Sequence, residues 1–276
     1  MVYDYIRWEE KAIANAAKKR GVEMKLLDSK DLFLLLDNDY TKIFGDIVLQ
    51  RCISYFRSLH LTAALEAKGI SVVNRFNVAL TTGNKLLTSL ALLKDGVPTP
   101  RTSLSFTPKS ALKSVENFGY PSILKPTIGS WGRLVAPLKD KDSAEAIFED
   151  REHMFPLYQI YYIQEYVKRP PRDIRSIVID DKVVAAIYRV SPSGNWKTNM
   201  ALGGKAVNCP ITEELEDICA KASKTVGGGI LGVDCMEGPD GLLVHEINNT
   251  TEFKNTVPIT GVDIPNLIID YLIRIS

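Results

Sequence analysis

The feature that most constrains the fold of this chain is Gly238-Pro-Asp-Gly241, a turn sequence set between two strand-like runs. Residues 230–236 and 242–248 are rich in β-branched and apolar residues, and Gly and Pro at the junction cannot continue either run. The segment therefore predicts an antiparallel hairpin. Glu246 and Asn248 are two residues apart and face one side of their strand. Asp234 lies opposite Glu246 if the loop holds an odd number of residues centred on Asp240. Two carboxylates and a carboxamide would then converge as hard oxygen donors of the kind Mg²⁺ prefers. Taken singly, acids on a strand edge are usually just solvated.

Composition narrows the setting. The 276 residues carry a formal net charge of +1, which argues against nucleic acid as the main partner. No apolar run approaches the ~18–20 residues of a membrane span. Cys52, Cys209, Cys219 and Cys235 show no paired spacing, so buried free thiols in a cytoplasmic protein are expected rather than zinc or disulfides. The start of the chain is too charged for a secretory signal, and the pattern reads as a strand beginning midway. Some N-terminal residues are therefore expected to be missing.

Periodicity divides the chain into an α/β (α+β) protein of three lobes, at 1–77, 78–160 and 161–276. The first alternates helix (9–20, stopped at Gly21; 54–68, stopped at Gly69) with strand (23–27, 43–50, 70–73), which predicts a small, largely parallel sheet. A helix over 84–93 follows. Strands then dominate to about residue 190, with one helix near 143–149. Hairpins are expected at 120–137, 173–190 and 230–248, a strand at 161–167, and helices over 213–225 and 264–275.

Three further groups carry chemistry. Gly129-Ser130-Trp131-Gly132, in a turn between strands, presents backbone N–H groups in the manner of an anion nest, with Lys125 and Lys85 as point charges. It is not a Walker A loop, and glycine turns more often serve only as hairpins. Arg175 and Arg189 fall on one face of their hairpin if the Asp180-Asp-Lys182 loop has three residues. They then form either a solvated basic face or a pair sharing a carboxylate or phosphoryl group. The polar stretch at 193–205 is either a surface loop or a lid. His60, His153 and His245 lack triad or metal spacing, and strict alternation points His245 away from Glu246.

In this order, Lys85, Lys125 with its glycine turn, Gln164-Glu165-Tyr166-Val167, Asp173-Ile-Arg175, Arg189, Asn199 with Gly203-Gly204, Asp234 and Glu246-Ile-Asn248 resemble the ATP-grasp carboxylate–amine ligases. The chain looks most like their RimK-like branch and, through 248–256 and 261–265, like the LysW ligases of amino-acid biosynthesis. The resemblance implies a small β/α N-terminal domain, a central lid domain and a C-terminal domain. It implies ATP between the last two, with adenine against Gln164, Glu165, Tyr166 and Val167. Phosphates would meet Lys85, Lys125 and 129–132, with Asp173 also at the nucleotide, and two Mg²⁺ ions would be held by Asp234, Glu246 and Asn248. One family member joins α-aminoadipate to the carrier protein LysW for lysine synthesis, and a sister joins glutamate for arginine. The first is associated with Asn-Thr or Asn-Ala where the second has Gly-Phe, and Asn255-Thr256 matches the first. The implied reaction passes phosphate to the carrier's terminal glutamyl side chain. The α-amine of aminoadipate then attacks the acyl phosphate, with Arg175, Arg189 and Asn199 as catalytic residues and Arg189, Asn199, Asn255 and Thr256 contacting substrate. A soluble homo-oligomer (dimer or tetramer) is also implied. Glutamate as substrate, or a non-catalytic ATP-binding interaction protein, are the alternatives.

Overall fold

The computed structural model describes residues 1–129, 132–191 and 204–276. The first lobe contains β1 (Val2–Tyr3), α1 (Trp8–Lys19), β2 (Leu27–Asp28), α2 (Thr41–Phe44), β3 (Ile47–Leu49), α3 (Tyr55–Glu66) and β4 (Ser71–Val73). β1 pairs with β2 and β3 with β4, both parallel, and a bridge from Val2 to Gln50 joins the two pairs. The parallel sheet expected from the alternation is therefore present, but its strands are short. Ile43 and Phe44 complete α2 rather than opening a strand, because Gly45 at φ 70° turns the chain before β3. The strand expected at 23–27 shrinks to β2.

α4 (Phe76–Thr82) and α5 (Lys85–Lys94) lead into the central lobe. The boundary expected at 77/78 falls inside α4. Asn84 starts α5 by accepting a hydrogen bond from Leu86 N at 3.0 Å, which aims Lys85 along the helix entrance. β5 (Thr102–Ser105), α6 (Pro108–Phe118), β6 (Ser122–Lys125), β7 (Ala136–Leu138), α7 (Lys141–Glu152) and β8 (Tyr161–Glu165) follow. Their strands form an antiparallel sheet in the order β5-β8-β6-β7. Ala111, Val115, Ala144 and Phe148 pack the two helices against Leu124, Leu138 and Ile163. α6 corrects the expectation of one helix in this stretch. Thr107 caps it by accepting from Ser110 N at 3.2 Å, with Pro108 in the first turn. β8 lies hydrogen-bonded between β5 and β6, so a boundary at 160/161 cuts it from its own sheet.

The last lobe holds β9 (Arg172–Ile179), β10 (Lys182–Val190), β11 (Lys205–Asn208), α8 (Glu213–Val226), β12 (Ile230–Gly238), β13 (Gly241–Asn248), α9 (Thr256–Thr260) and α10 (Ile264–Ile275). Its antiparallel sheet runs β11-β10-β9-β12-β13. One face buries Val178, Ala186, Val233 and Val244 against Leu215, Cys219 and Ala222 of α8. Along the other face, Ile177, Ile179, Ala185 and Ile230 join Ile13, Ile268 and Ile269 in a core shared with α1 and α10. Further along that same face the residues change to Asp173, Arg175, Arg189 and Asp234. The apolar end anchors the sheet, and the charged end opens toward the central lobe.

Candidate functional site

Both hairpins turn through two residues, not the odd number considered for the Asp240 loop or the three considered at Asp180–Lys182. Gly238 pairs with Gly241, and Ile179 pairs with Lys182. Asp180 takes φ 63°, as the tight turn requires. With turns of that length alone, Asp234 and Glu246 would be out of register. A β-bulge after Asp234 restores it: Cys235 pairs with Val244, Asp234 pairs with Glu246, and His245 is the extra residue. A second bulge between Val183 and Ala185 does the same for the other hairpin, setting Ile187 opposite Arg175 and Arg189 opposite Asp173. Asp234 also sits opposite Arg175 across β9 and β12. The row Arg175, Asp234, Glu246 thus crosses the sheet on one face. The expected convergence is present, produced by inserted residues.

This face forms one wall of a cavity of about 1020 Å³, and Lys85, Lys125 and Gln164 line another part of it. Ordinary ligand pockets span ~300–1,000 Å³, so the volume suits a nucleotide with a second substrate. Lys85 Nζ donates to Gly129 O at 2.7 Å and lies 3.1 Å from Glu246 Oε1. Lys125 Nζ donates to Gln164 Oε1 at 2.6 Å. Burial pushes the Lys125 ammonium down to about 8, with Glu246 opposing and Lys85 and Arg169 adding to the effect. Gly129, Gly132, Glu165, Tyr166 and Val167 also line the cavity. Ser130, Trp131 and Asn199, and the 193–203 part of the candidate lid, lie outside the described residues.

The two arginines share a carboxylate, one of the two outcomes the sequence left open. Arg175 grips both oxygens of Asp234, with Nη2 to Oδ2 at 2.8 Å, and Arg189 Nη2 reaches the same Oδ2 at 3.0 Å. Arg189 also holds Asp173 through Nε to Oδ1 at 2.6 Å and Nη2 to Oδ2 at 2.9 Å. Burial would raise the Asp234 carboxyl, but the Arg175 and Arg189 guanidiniums outweigh it and hold it well below the usual range. Asp234 is thus ionised between two guanidiniums, and Glu246 has the Lys85 ammonium beside it. Asn248 keeps a buried Nδ2 with no partner. Two carboxylates and a carboxamide suit Mg²⁺ by donor chemistry. Among the described residues, no three His, Cys, Asp or Glu are grouped so as to hold a metal ion.

His245 corrects an expectation. As the bulge residue it lines the cavity beside Glu246, and neither ring nitrogen has a partner. Burial, reinforced by Lys125, keeps its pKa well below the ordinary value, so the ring is neutral. Period-two alternation could not reveal this, because a bulge breaks the alternation. Asn255 and Thr256 do line the cavity. Sequence reasoning missed Arg7, Trp8 and Glu9 of the first lobe, which line the same cavity some 240 residues away in the chain. No local pattern links them to it.

The RimK-like ATP-grasp domain matches residues 82–272, and the LysX preATP-grasp domain matches residues 1–81. The chain is 37% identical over 278 residues to the alpha-aminoadipate–LysW ligase LysX of Sulfurisphaera tokodaii, covering 99% of this chain and 96% of that protein. It is 33% identical over 276 residues to the glutamate–LysW ligase ArgX of the same organism, with the same two coverages. The crystal structure of a RimK domain ATP-grasp protein from Sphaerobacter thermophilus superposes with TM-score 0.81 at 23% identity, over 98% of each chain. Among the described residues, no helix is long and apolar enough to cross a membrane. The charged sheet face, the lysine pair opposite it and these matches over the whole length agree: the chain belongs to the RimK-like ATP-grasp family.

Proposed function

We propose that the protein is an ATP- and Mg²⁺-dependent ligase that joins the α-amine of L-2-aminoadipate to the C-terminal glutamyl side chain of a LysW-type carrier. The observation that carries this reading is the row Arg175, Asp234, Glu246 facing Lys85 and Lys125 across one cavity. Identity to the LysX relatives, 37–38%, exceeds that to the ArgX relatives at 33%, and supports aminoadipate over glutamate. Asn255-Thr256 supports the same choice. One methylene separates the two amino acids, and a Phe at 256 would shorten the pocket that the smaller Thr leaves open.

In this reading the triphosphate rests on Lys85, Lys125 and the 129–132 turn, with the base against 164–167. Asp234, Glu246 and Asn248 would hold Mg²⁺, two ions in all, and the metal would supply neutralisation of the phosphate charge. Lys85 then leaves Glu246 for phosphate, and Arg175 is released from Asp234. The carrier's carboxylate oxygen attacks the γ-phosphorus and ADP departs. The amine next attacks the acyl carbon, the C–O bond to phosphate breaks, the nitrogen loses a proton and the amide forms. Arg175 and Arg189, with Asn199, steady the anionic oxygens of the acyl phosphate and of the tetrahedral intermediate. Positioning and charge neutralisation account for the catalysis, with no side-chain nucleophile.

Phosphate release from purified protein with ATP, Mg²⁺ and LysW, supplied with either amino acid, tests the proposal. Faster release with aminoadipate is expected. Faster release with glutamate makes it the sister enzyme, and no release with any acceptor makes it a binding protein.

A further inference from the structure

The loop from Asn249 to Asn255 joins β13 to α9, and the residues read above as choosing the amino acid, Asn255 and Thr256, stand at its junction with that helix. It crosses β12 so closely that a Cβ on Gly232 would lie 2.3 Å from Thr251 Oγ1. The side chains that grip its backbone belong to the first lobe. Asn74 Nδ2 donates to Asn249 O at 2.8 Å, and Arg51 Nη2 donates to Thr251 O at 3.1 Å. Glu9 grips it furthest along: its Oε1 accepts from Phe253 N at 3.2 Å and from Lys254 N at 3.0 Å. Trp8 packs edge-on against Phe253 with ring centroids 6.0 Å apart.

Glu9 differs from the other two contacts in place and in chemistry. Asn74 and Arg51 hold the start of the loop, whereas Glu9 acts on the residues immediately before Asn255. One carboxyl oxygen accepting two successive N–H groups fixes the orientation of both peptide planes. Glu9 is only 4% exposed, so the bonds are shielded from competing water. The next two residues are Asn255 and Thr256, and Thr256 opens α9. A shift of the Phe253 and Lys254 planes therefore carries Asn255 and Thr256 with it.

We propose that Glu9 is a positioning residue for the amino-acid substrate, through which the first lobe sets where Asn255 and Thr256 stand in the cavity. The inference rests on the reading of those two residues as amino-acid contacts. It gives the preATP-grasp lobe a part in substrate choice that does not involve the nucleotide.

The test is steady-state phosphate release by Glu9→Ala and Glu9→Gln with LysW, varying amino acid and ATP separately, alongside melting temperature. Glu9→Ala should raise the aminoadipate KM about tenfold, as expected for loss of two hydrogen bonds, and narrow the preference over glutamate. The KM for ATP should stay within about twofold. Gln keeps an acceptor oxygen at the same place, so Glu9→Gln should restore the KM to within about threefold of the parent. An unchanged aminoadipate KM, or an equal rise in both KM values, overturns the proposal. A lower melting temperature with intact kinetics also overturns it. If Glu9→Ala does not fold, Glu9→Asp serves: its shorter reach should raise the aminoadipate KM, and no rise defeats the idea. Thr256→Phe separates the two readings. If it leaves amino-acid dependence unchanged while Glu9→Ala alters it, the assignment of Thr256 fails and loop positioning stands. The opposite pattern removes the role of Glu9. Calorimetric binding of aminoadipate gives the same comparison without turnover.

Discussion

Two buried charge networks meet the cavity, and they differ in which polar atoms around them are left without partners. In the first lobe, Arg51 is 2% exposed and donates to Glu10 Oε1 at 2.9 Å and to Thr251 O at 3.1 Å. Arg7 completes Glu10 with Nη2 to Oε1 at 2.8 Å and a backbone N–H to Oε2 at 2.9 Å. Burial would raise the Glu10 carboxyl, but Arg7 and Arg51 hold it down at about 2. On the last lobe's sheet, Arg175, Arg189, Asp173 and Asp234 are bonded as tightly, yet Asn248 and His245 beside them keep unpartnered buried atoms. The first network is closed in its charged groups, with only the neutral Thr251 Oγ1 left unpartnered beside it among the described residues, and it joins lobes. The second is bordered at the cavity by orphaned amide and ring nitrogens and is poised to exchange partners. The first should respond to mutation in stability, the second in activity.

The largest expected effect breaks the closed network. Arg51→Ala leaves Glu10 buried with one partner fewer and should cost about 3–5 kcal/mol, read as a shift in urea midpoint. A loss below about 1 kcal/mol would mean that the network is not closed. Next comes Glu246→Gln, which should lower Mg²⁺-dependent turnover by about 10²-fold or more while the melting temperature holds. An equal loss of stability would erase the distinction between the networks. Thr256→Phe should then cut selectivity for aminoadipate over glutamate by about 1–3 kcal/mol in kcat/KM.

The smallest effect is a pH dependence. The Lys125 ammonium titrates near 8 in the folded protein and has an ordinary value of 10.5. If Lys125 faces the phosphates as proposed, nucleotide affinity should fall as pH rises through 8, because its cation is lost. Folding stability moves the other way. Between about 8 and 10.5 the unfolded chain holds the extra proton, so this group makes the nucleotide-free protein more stable as pH rises. Titration calorimetry with a nucleotide across that range should show the decline, and Lys125→Arg should flatten it.

The sequence makes the elements of the site legible more readily than their register. Gly238-Pro-Asp-Gly241 and Asp180-Asp181 mark both turns, and α10 appears at its expected limits, Ile264–Ile275. The bulges at His245 and near Val184 leave no local signature, so an odd-numbered loop is the nearest inference that aligns Asp234 with Glu246. α6 carries a visible Thr-Pro start at Thr107-Pro108, obscured by the strands around it. The grip of Glu9 and Arg51 on the 249–254 segment spans about 200 residues or more of sequence and arises only in the folded chain.

A crystal structure with Mg²⁺ and a non-hydrolysable ATP analogue tests the central claim most directly. The account predicts a cation about 2.0–2.1 Å from oxygens of Asp234, Glu246 and Asn248, with Arg175 and Lys85 turned to phosphate. A bound nucleotide whose cation avoids these residues, with Asp234 still clasped by Arg175 and Arg189, would contradict it.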